Sequence, residues 1–289
     1  MTDYIITSDN MVDLPDEYVR EHGLMLMSLT YLLEGVSYNE DHPLPYQEFY
    51  AKMRSGSMPT TSQINPEEAK EKFRAFLKVH KQIIHIAFSS GLSGTCGSVA
   101  IAARELMEED PECRITVIDS LAASLGQGLL VHKALEQQKK GLSYEKLVQW
   151  LEEHRLNVCH NFTVDDLFHL YRGGRVSKAA AVVGTMINLK PLLHVDNEGK
   201  LIPVGKVRGR KKSLTALVDA MEQQIGSWRD KNDVVFISHG DCIEDAEFVK
   251  KLVEQRFGIQ NFIINPVGPT IGAHSGPGTL ALFYMGDVR

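Results

Sequence analysis

The sequence predicts an α/β protein with a parallel sheet in its first half and a mixed sheet in its second. Two observations carry this. Short apolar runs alternate with amphipathic stretches for most of the chain, as successive strand–helix units do. After about residue 190 that alternation gives way to a hairpin pattern, Lys190–Val195 and Lys200–Val207 around Asp196-Asn197-Glu198-Gly199.

In order, Tyr4–Ser8 reads as a buried strand, and a helix follows from Pro15 to His22 with Gly23 as its stop. Leu24–Leu33 supplies one or two strands. Asn65 caps a helix that opens on Pro66, Glu67 and Glu68, with Ala69, Phe73, Phe76 and Leu77 as its buried face. Ile83–Phe88 is a strand leading to a helix from about Cys96 to Glu108. Ile115–Ile118 repeats the unit, with a helix through Leu135, and Ser143 caps the next helix over Leu147, Trp150 and Leu151. The later elements are a helix through Leu214–Met221, strand Val234–Ser238, helix Asp245–Phe257, strand Phe262–Val267 and a last strand Thr279–Met285.

With 289 residues the chain exceeds one comfortable core. A division into an α/β/α N-terminal domain, 1–157, and a mixed-sheet α/β domain, 158–289, is expected, with the last strand free to pack back across the boundary. The formal charge of −6 argues against nucleic acid as a partner. Cys96, Cys113, Cys159 and Cys242 are widely spaced and read as reduced thiols. The opening MTDYIITSDN lacks a basic-then-apolar leader, and no apolar run reaches the roughly 20 residues of a membrane span, so a cytoplasmic protein is expected.

Four segments could carry chemistry. Ser89-Ser90-Gly91-Leu92-Ser93-Gly94-Thr95 lies between strand and helix, where free helix N–H groups and hydroxyls suit a carboxylate or phosphate. Ser93 or Thr95 acting only as a helix cap explains the same residues. Pro59-Thr60-Thr61-Ser62-Gln63 reads as a hydroxyl-rich turn before a helix, and caps alone would account for it. Gly268–Gly278 is a Gly/Pro-rich loop fixing His274. The fourth is basic: Arg172, Arg175 and Lys178, then Lys206, Arg208, Arg210, Lys211 and Lys212. Arginines beside glycine pairs suit phosphate or carboxylate, whereas Lys211 and Lys212 read as a solvated face. Metal-site spacing and the phosphate-binding G-x-x-x-x-G-K-[ST] loop are both missing. Gly91-Leu92-Ser93-Gly94-Thr95 lacks the second glycine of a nucleophile elbow, but Ser93, His274 and Asp9 remain a candidate set for acyl-ester or thioester hydrolysis. A sensor of phosphorylated metabolites is the third reading.

Taken together the segments resemble the DegV family of bacterial fatty-acid-binding proteins. The matching pieces are Ser8-Asp9-Asn10 with Asp13-Leu14, Pro59–Gln63, Ser89–Thr95, Asp119-Ser120 with Ser124 and Gly126, 162–175, Asn188–Pro191, Lys206 with Arg208-Gly209, and Gly272–Gly278. The resemblance implies a non-catalytic, two-domain protein holding one long-chain fatty acid in an apolar tunnel, with no further cofactor. It implies that Thr61, Ser62, Ser93, Gly94 and Thr95 hold the carboxylate, with His274 close by. It also implies that the acid is presented to a separate fatty acid kinase of the dihydroxyacetone kinase type, which makes an acyl phosphate. Arg172, Arg175 and Arg208 are then the candidates for contacting that kinase or its ATP phosphates, and a transient membrane surface is a further partner. Asn65-Pro66 departs from relatives that place proline directly after the glutamine, which alters the start of a helix.

Overall fold

The computed structural model describes residues 3–165, 167–177 and 188–289. Its first sheet is wholly parallel, in the order β2-β1-β6-β7, from β1 (Ile5–Asp9), β2 (Met25–Met27), β6 (Gln82–Ala87) and β7 (Arg114–Asp119). The second is mixed. It runs β10-β9-β8-β13-β11-β12, from β8 (Val158–Thr163), β9 (Leu189–Val195), β10 (Leu201–Arg208), β11 (Val234–His239), β12 (Asn261–Pro266) and β13 (Leu280–Met285). β9 and β10 form the expected hairpin, with a register shift between Pro203 and Gly205. A small antiparallel sheet, β4-β3-β5, joins β3 (Thr30–Leu33), β4 (Val36–Tyr38) and β5 (Thr60–Ser62).

Helices α1 (Asp16–Glu21), α2 (Tyr46–Arg54), α3 (Pro66–Leu77), α4 (Thr95–Glu109), α5 (Leu125–Lys139), α6 (Tyr144–His154) and α7 (Phe168–Arg172) fill the first part of the chain. Phe73 of α3 and Val99 and Leu106 of α4 pack on Ile83 and Ile115, covering one face of the parallel sheet. The helices Arg210–Gln224 and Ile243–Phe257 cover the outer face of the mixed sheet through Leu217, Val218 and Val249.

α5 lies between the two sheets. Leu125, Leu129, Leu130, Val131 and Ala134 share one core with Ile84 and Ile86 of the parallel sheet and with Phe236 and Phe283 of the mixed one. A helix apolar on every side is one buried on every side. Gly126 serves the same packing, because a Cβ there would stand 2.1 Å from the His160 ring.

Asn65 makes the full capping box with Glu68 that its spacing predicts. Asn65→Ala is expected to cost about 1 kcal/mol, read as a lower denaturant midpoint at unchanged slope. An unchanged midpoint would deny the cap its role.

Two expectations need correction. Thr60–Ser62 is a strand and not a turn, because Thr60 and Thr61 pair with Leu32 and Tyr31 of β3. His274 sits on a helix, Pro269–Ser275, and not in an irregular loop. Pro269 opens that helix, and glycine is needed at 272 because a Cβ there would stand 2.5 Å from the Tyr50 hydroxyl. Leu24–Leu33, expected as one or two strands, holds two, and they belong to different sheets. The four cysteines are free thiols, and among the described residues no helix is long and apolar enough to cross a membrane.

Candidate functional site

The ends of β1 and β6 are tied together by Asp9. Its buried carboxylate accepts from Phe88 N at 2.8 Å, Met11 N at 3.1 Å and Gln127 Nε2 at 3.1 Å. The chain leaving β6 is thereby aimed so that 89–94 turns outward before α4 begins. Ser89 Oγ donates to Gly199 O at 2.8 Å, which seats the hairpin tip against this turn. Gly94 is the N-cap residue of α4 and offers no side-chain cap. A Cβ on Gly94 would stand 2.2 Å from Gln63 Oε1, so the turn approaches β5 closely.

β5 brings Thr61 and Ser62 to that same place. Thr61 Oγ1 lies 2.8 Å from His274 Nε2. His274 fits because residue 173 is glycine: a Cβ there would stand 2.2 Å from Nδ1. Arg172 fastens the assembly, donating to Pro59 O at 3.1 Å and to Ala273 O at 3.0 Å. Arg175 donates from Nε to Leu92 O at 3.1 Å.

These groups form the polar end of a cavity of about 320 Å³ between the sheets, lined there by Thr61, Ser62, Gln63, Ser93, Gly94, Arg175 and His274. Ser62, Gln63 and Gly94 are exposed, so this end meets solvent. Phe88, Leu92, Leu170 and Ile271 continue the wall, and Phe162, Val195, Ala281 and Phe283 add apolar surface from the mixed sheet. Apolar walls with a few convergent polar groups at one end suit a long amphiphile.

Electrostatics at the polar end favour an anion. Burial, then the nearby Arg175 and Arg172, pull the His274 imidazole down to about 4, so it is neutral near pH 7. Burial also lowers the Arg175 guanidinium. An arriving carboxylate reverses the conditions that disfavour charge on both. His274 Nδ1 is buried without a hydrogen-bond partner among the described residues.

Of the residues singled out in the sequence, Thr61, Ser62, Ser93, Gly94 and His274 meet at the cavity. Thr95 is buried behind them, with its hydroxyl 3.0 Å from Ser93 Oγ and its N–H donating to the same oxygen. Arg208 is exposed at the end of β10, as are Lys206, Lys211 and Lys212. Arg210 is engaged with Asp245 and Gly278 O. Lys178 lies outside the described residues. Asp9 does not join the candidate hydrolytic set, since its carboxylate is occupied by Phe88, Met11 and Gln127, and the His274 Nε2 contact goes to Thr61. Arg175, expected to contact the partner or its phosphates, lines the cavity, and Gln63 of the Pro59–Gln63 cluster joins it there.

The DegV family model, described as an uncharacterised protein family, matches residues 4–287. The chain belongs to the DegV family. A DegV domain-containing protein of Clostridium perfringens is 40% identical over 291 residues, covering 100% of this chain and 99% of that one. Another, from Lactococcus lactis, is 38% identical, covering 97% and 96% respectively. Among solved structures, a DegV protein of Thermus thermophilus described by its fatty acid binding superposes with a TM-score of 0.86 at 30% identity, covering 98% of this chain and 99% of that one. DegV of Bacillus subtilis, described as a fatty acid binding protein, gives a TM-score of 0.84 at 29% identity, covering 99% and 100%. The DegV fold therefore extends over the whole architecture, parallel and mixed sheets alike.

The buried titratable groups of this DegV chain predict an acid-side loss of stability. Burial lowers His85 to about 3 and both His132 and His274 to about 4, below the usual 6.5. Groups with depressed folded values contribute stability that is present above 6.5 and lost as pH falls toward 4. Burial raises Asp9 to about 6 and Asp13 to about 7 from the usual 3.8, so their contribution is lost as pH rises through those values. The three histidines outweigh the two carboxylates in the shared window. Melting temperature is expected to fall between pH 6.5 and pH 4, and a flat thermal-unfolding profile there would contradict it.

Proposed function

We propose that this chain holds one long-chain fatty acid in the cavity between its sheets, carboxylate at the Thr61–Ser93–His274 end. On this reading it presents the acid to a separate kinase and does no chemistry itself. The observation that carries the reading is the cavity's asymmetry: hydroxyls, a neutral imidazole and an arginine at one end, apolar walls beyond. The descriptions of the Thermus thermophilus and Bacillus subtilis proteins support its first part, the binding of a fatty acid.

The energetics agree. A chain of about 15 methylenes contributes roughly 12 kcal/mol gross when removed from water, at about 0.8 kcal/mol per CH₂. Association and chain ordering offset much of this. A buried carboxylate without partners would cost several kcal/mol, which Thr61, Ser62, Ser93 and the N–H groups near Gly94 relieve. Thr95 acts through Ser93, and Arg175 acts from the cavity wall.

Because the polar end meets solvent, a carboxylate oxygen there stays within reach of a partner. We place a bacterial, cytoplasmic fatty acid kinase of the dihydroxyacetone kinase type at this face, with Arg172, Arg175 and Arg208 beside its ATP phosphates. The oxygen attacks the γ-phosphorus, the bond to ADP breaks, and an acyl phosphate results. A transient membrane surface is a further partner on this reading. We set the division between the two halves at residues 157 and 158.

The test combines purified chain, fatty acid, Mg-ATP and such a kinase, trapping acyl phosphate as the hydroxamate. Product should form only when chain and kinase are both present. Equal product without the chain, or ester hydrolysis by the chain alone, would overturn the proposal.

A further inference from the structure

The parts of the site come from different sheets, and one buried carboxylate joins them. Asp13 closes the short 3₁₀ turn Asn10–Val12 that follows β1, in a left-handed conformation (φ 49°). Its Oδ1 accepts from Gly268 N at 3.0 Å, at the start of the helix that carries His274. Its Oδ2 accepts from Ser124 Oγ, at the start of α5 in the cavity wall. Ser124 Oγ also lies 2.7 Å from Ser238 Oγ on β11, and Asn265 Nδ2 of β12 donates to Asp13 O at 2.8 Å. Asp13 thus joins the parallel-sheet side to Ser124 before α5, to β12 of the mixed sheet and to the start of the His274 helix, and reaches β11 through Ser124.

Two features show that this arrangement is held against a cost. Ser124 is a non-glycine residue at φ 55° and ψ −144°, a backbone region that side chains disfavour. Asp13 is 6% exposed, and no Lys or Arg pairs with it among the described residues. Burial, with the neighbouring Asp9 adding, raises its carboxyl to about 7 in spite of the Ser124 and Gly268 bonds. Asp9 and the Tyr50 hydroxyl are the titratable groups that face it. Tyr50 in turn donates to Val267 O at 2.9 Å, one residue before the Gly268 contact.

We infer that Asp13 is a positioning residue for carboxylate recognition: it sets the Pro269–Ser275 helix, and so His274, against the Ser124 wall and β5. The inference rests on the fatty-acid reading above. It separates a head-group effect from a general one. If Asp13 only stabilised the fold, its loss would weaken every cavity ligand alike. If it positions His274, the loss falls on ligands with a carboxylate.

The test uses delipidated full-length chain titrated with palmitic acid and with hexadecan-1-ol, which has the same tail and no carboxylate. Asp13→Asn is expected to weaken the acid about tenfold, the scale of one charge-assisted hydrogen bond, while changing the alcohol less than about twofold. Ser124→Ala, which leaves the Gly268 bond in place, is expected to do the same on a smaller scale, about threefold. If Asp13→Asn does not fold, Ser124→Ala decides by the same criterion. Equal losses for acid and alcohol, or no loss for either, overturn the inference. A wild-type chain that binds neither compound overturns the fatty-acid reading and the inference with it.

Discussion

Ala281→Trp is expected to leave the purified chain folded and nearly free of lipid. Ala281 is 6% exposed on β13, flanked by Phe162 and Ser238 across the ladder, and its side chain lines the apolar part of the cavity. An indole there takes space that the acyl chain needs. Excluding about six methylenes at about 0.8 kcal/mol each removes roughly 5 kcal/mol, more than a thousandfold in affinity. The fold is expected to lose less, about 1–3 kcal/mol for overpacking. Native mass measurement reports occupancy, and thermal unfolding reports the fold. A well-folded Ala281→Trp chain at full occupancy would place the lipid elsewhere.

Ser93→Ala is expected to weaken fatty acid binding by roughly 10- to 100-fold with little effect on stability, because a hydrogen bond to a charged group is worth about 1.5–3 kcal/mol. Ser93 is half-buried at the polar end, and its own fold contacts are local, to Thr95. Thr61→Val is expected to act in the same direction while also releasing His274 Nε2. Equilibrium titration of delipidated variants against one fatty acid measures both. Unchanged affinity in Ser93→Ala would remove the 89–95 turn from the site.

The α/β class, the strand–helix order and the split into parallel and mixed sheets were legible because each rests on local pattern: apolar runs, caps and the Asp196–Gly199 turn. The helix under His274 was not. Its glycines at 272 and 276 read as loop, whereas Gly272 is there because the Tyr50 hydroxyl leaves no room for a Cβ inside the helix. β5 was missed for a similar reason, since Thr60–Ser62 owes its conformation to pairing with Thr30–Leu32, which local hydroxyl content does not announce. α2 was also unread: its buried Phe49, Tyr50 and Met53 face Tyr31 and Leu33, a small core with no repeat long enough to register.

For the site, hydroxyl- and glycine-rich segments marked the 59–63, 89–95 and 268–278 regions, while the resemblance to the DegV family is what singled out Thr61, Ser62, Ser93, Gly94 and His274, which meet at the cavity. The apolar walls carry no such mark. Phe162, Val195 and Phe283 line the cavity, but in sequence they are indistinguishable from Phe236 or Leu282, which only fill a core. Asp13 and Ser124 likewise gain their meaning from residues more than a hundred positions apart meeting in space.

The central claim is that the cavity holds one fatty acid, and native mass spectrometry of the freshly purified chain tests it most directly. The account predicts a mass excess of one lipid per chain. After denaturation and extraction, that excess should be identified as a long-chain fatty acid. A chain that is empty on purification and fails to take up added long-chain acids would contradict it.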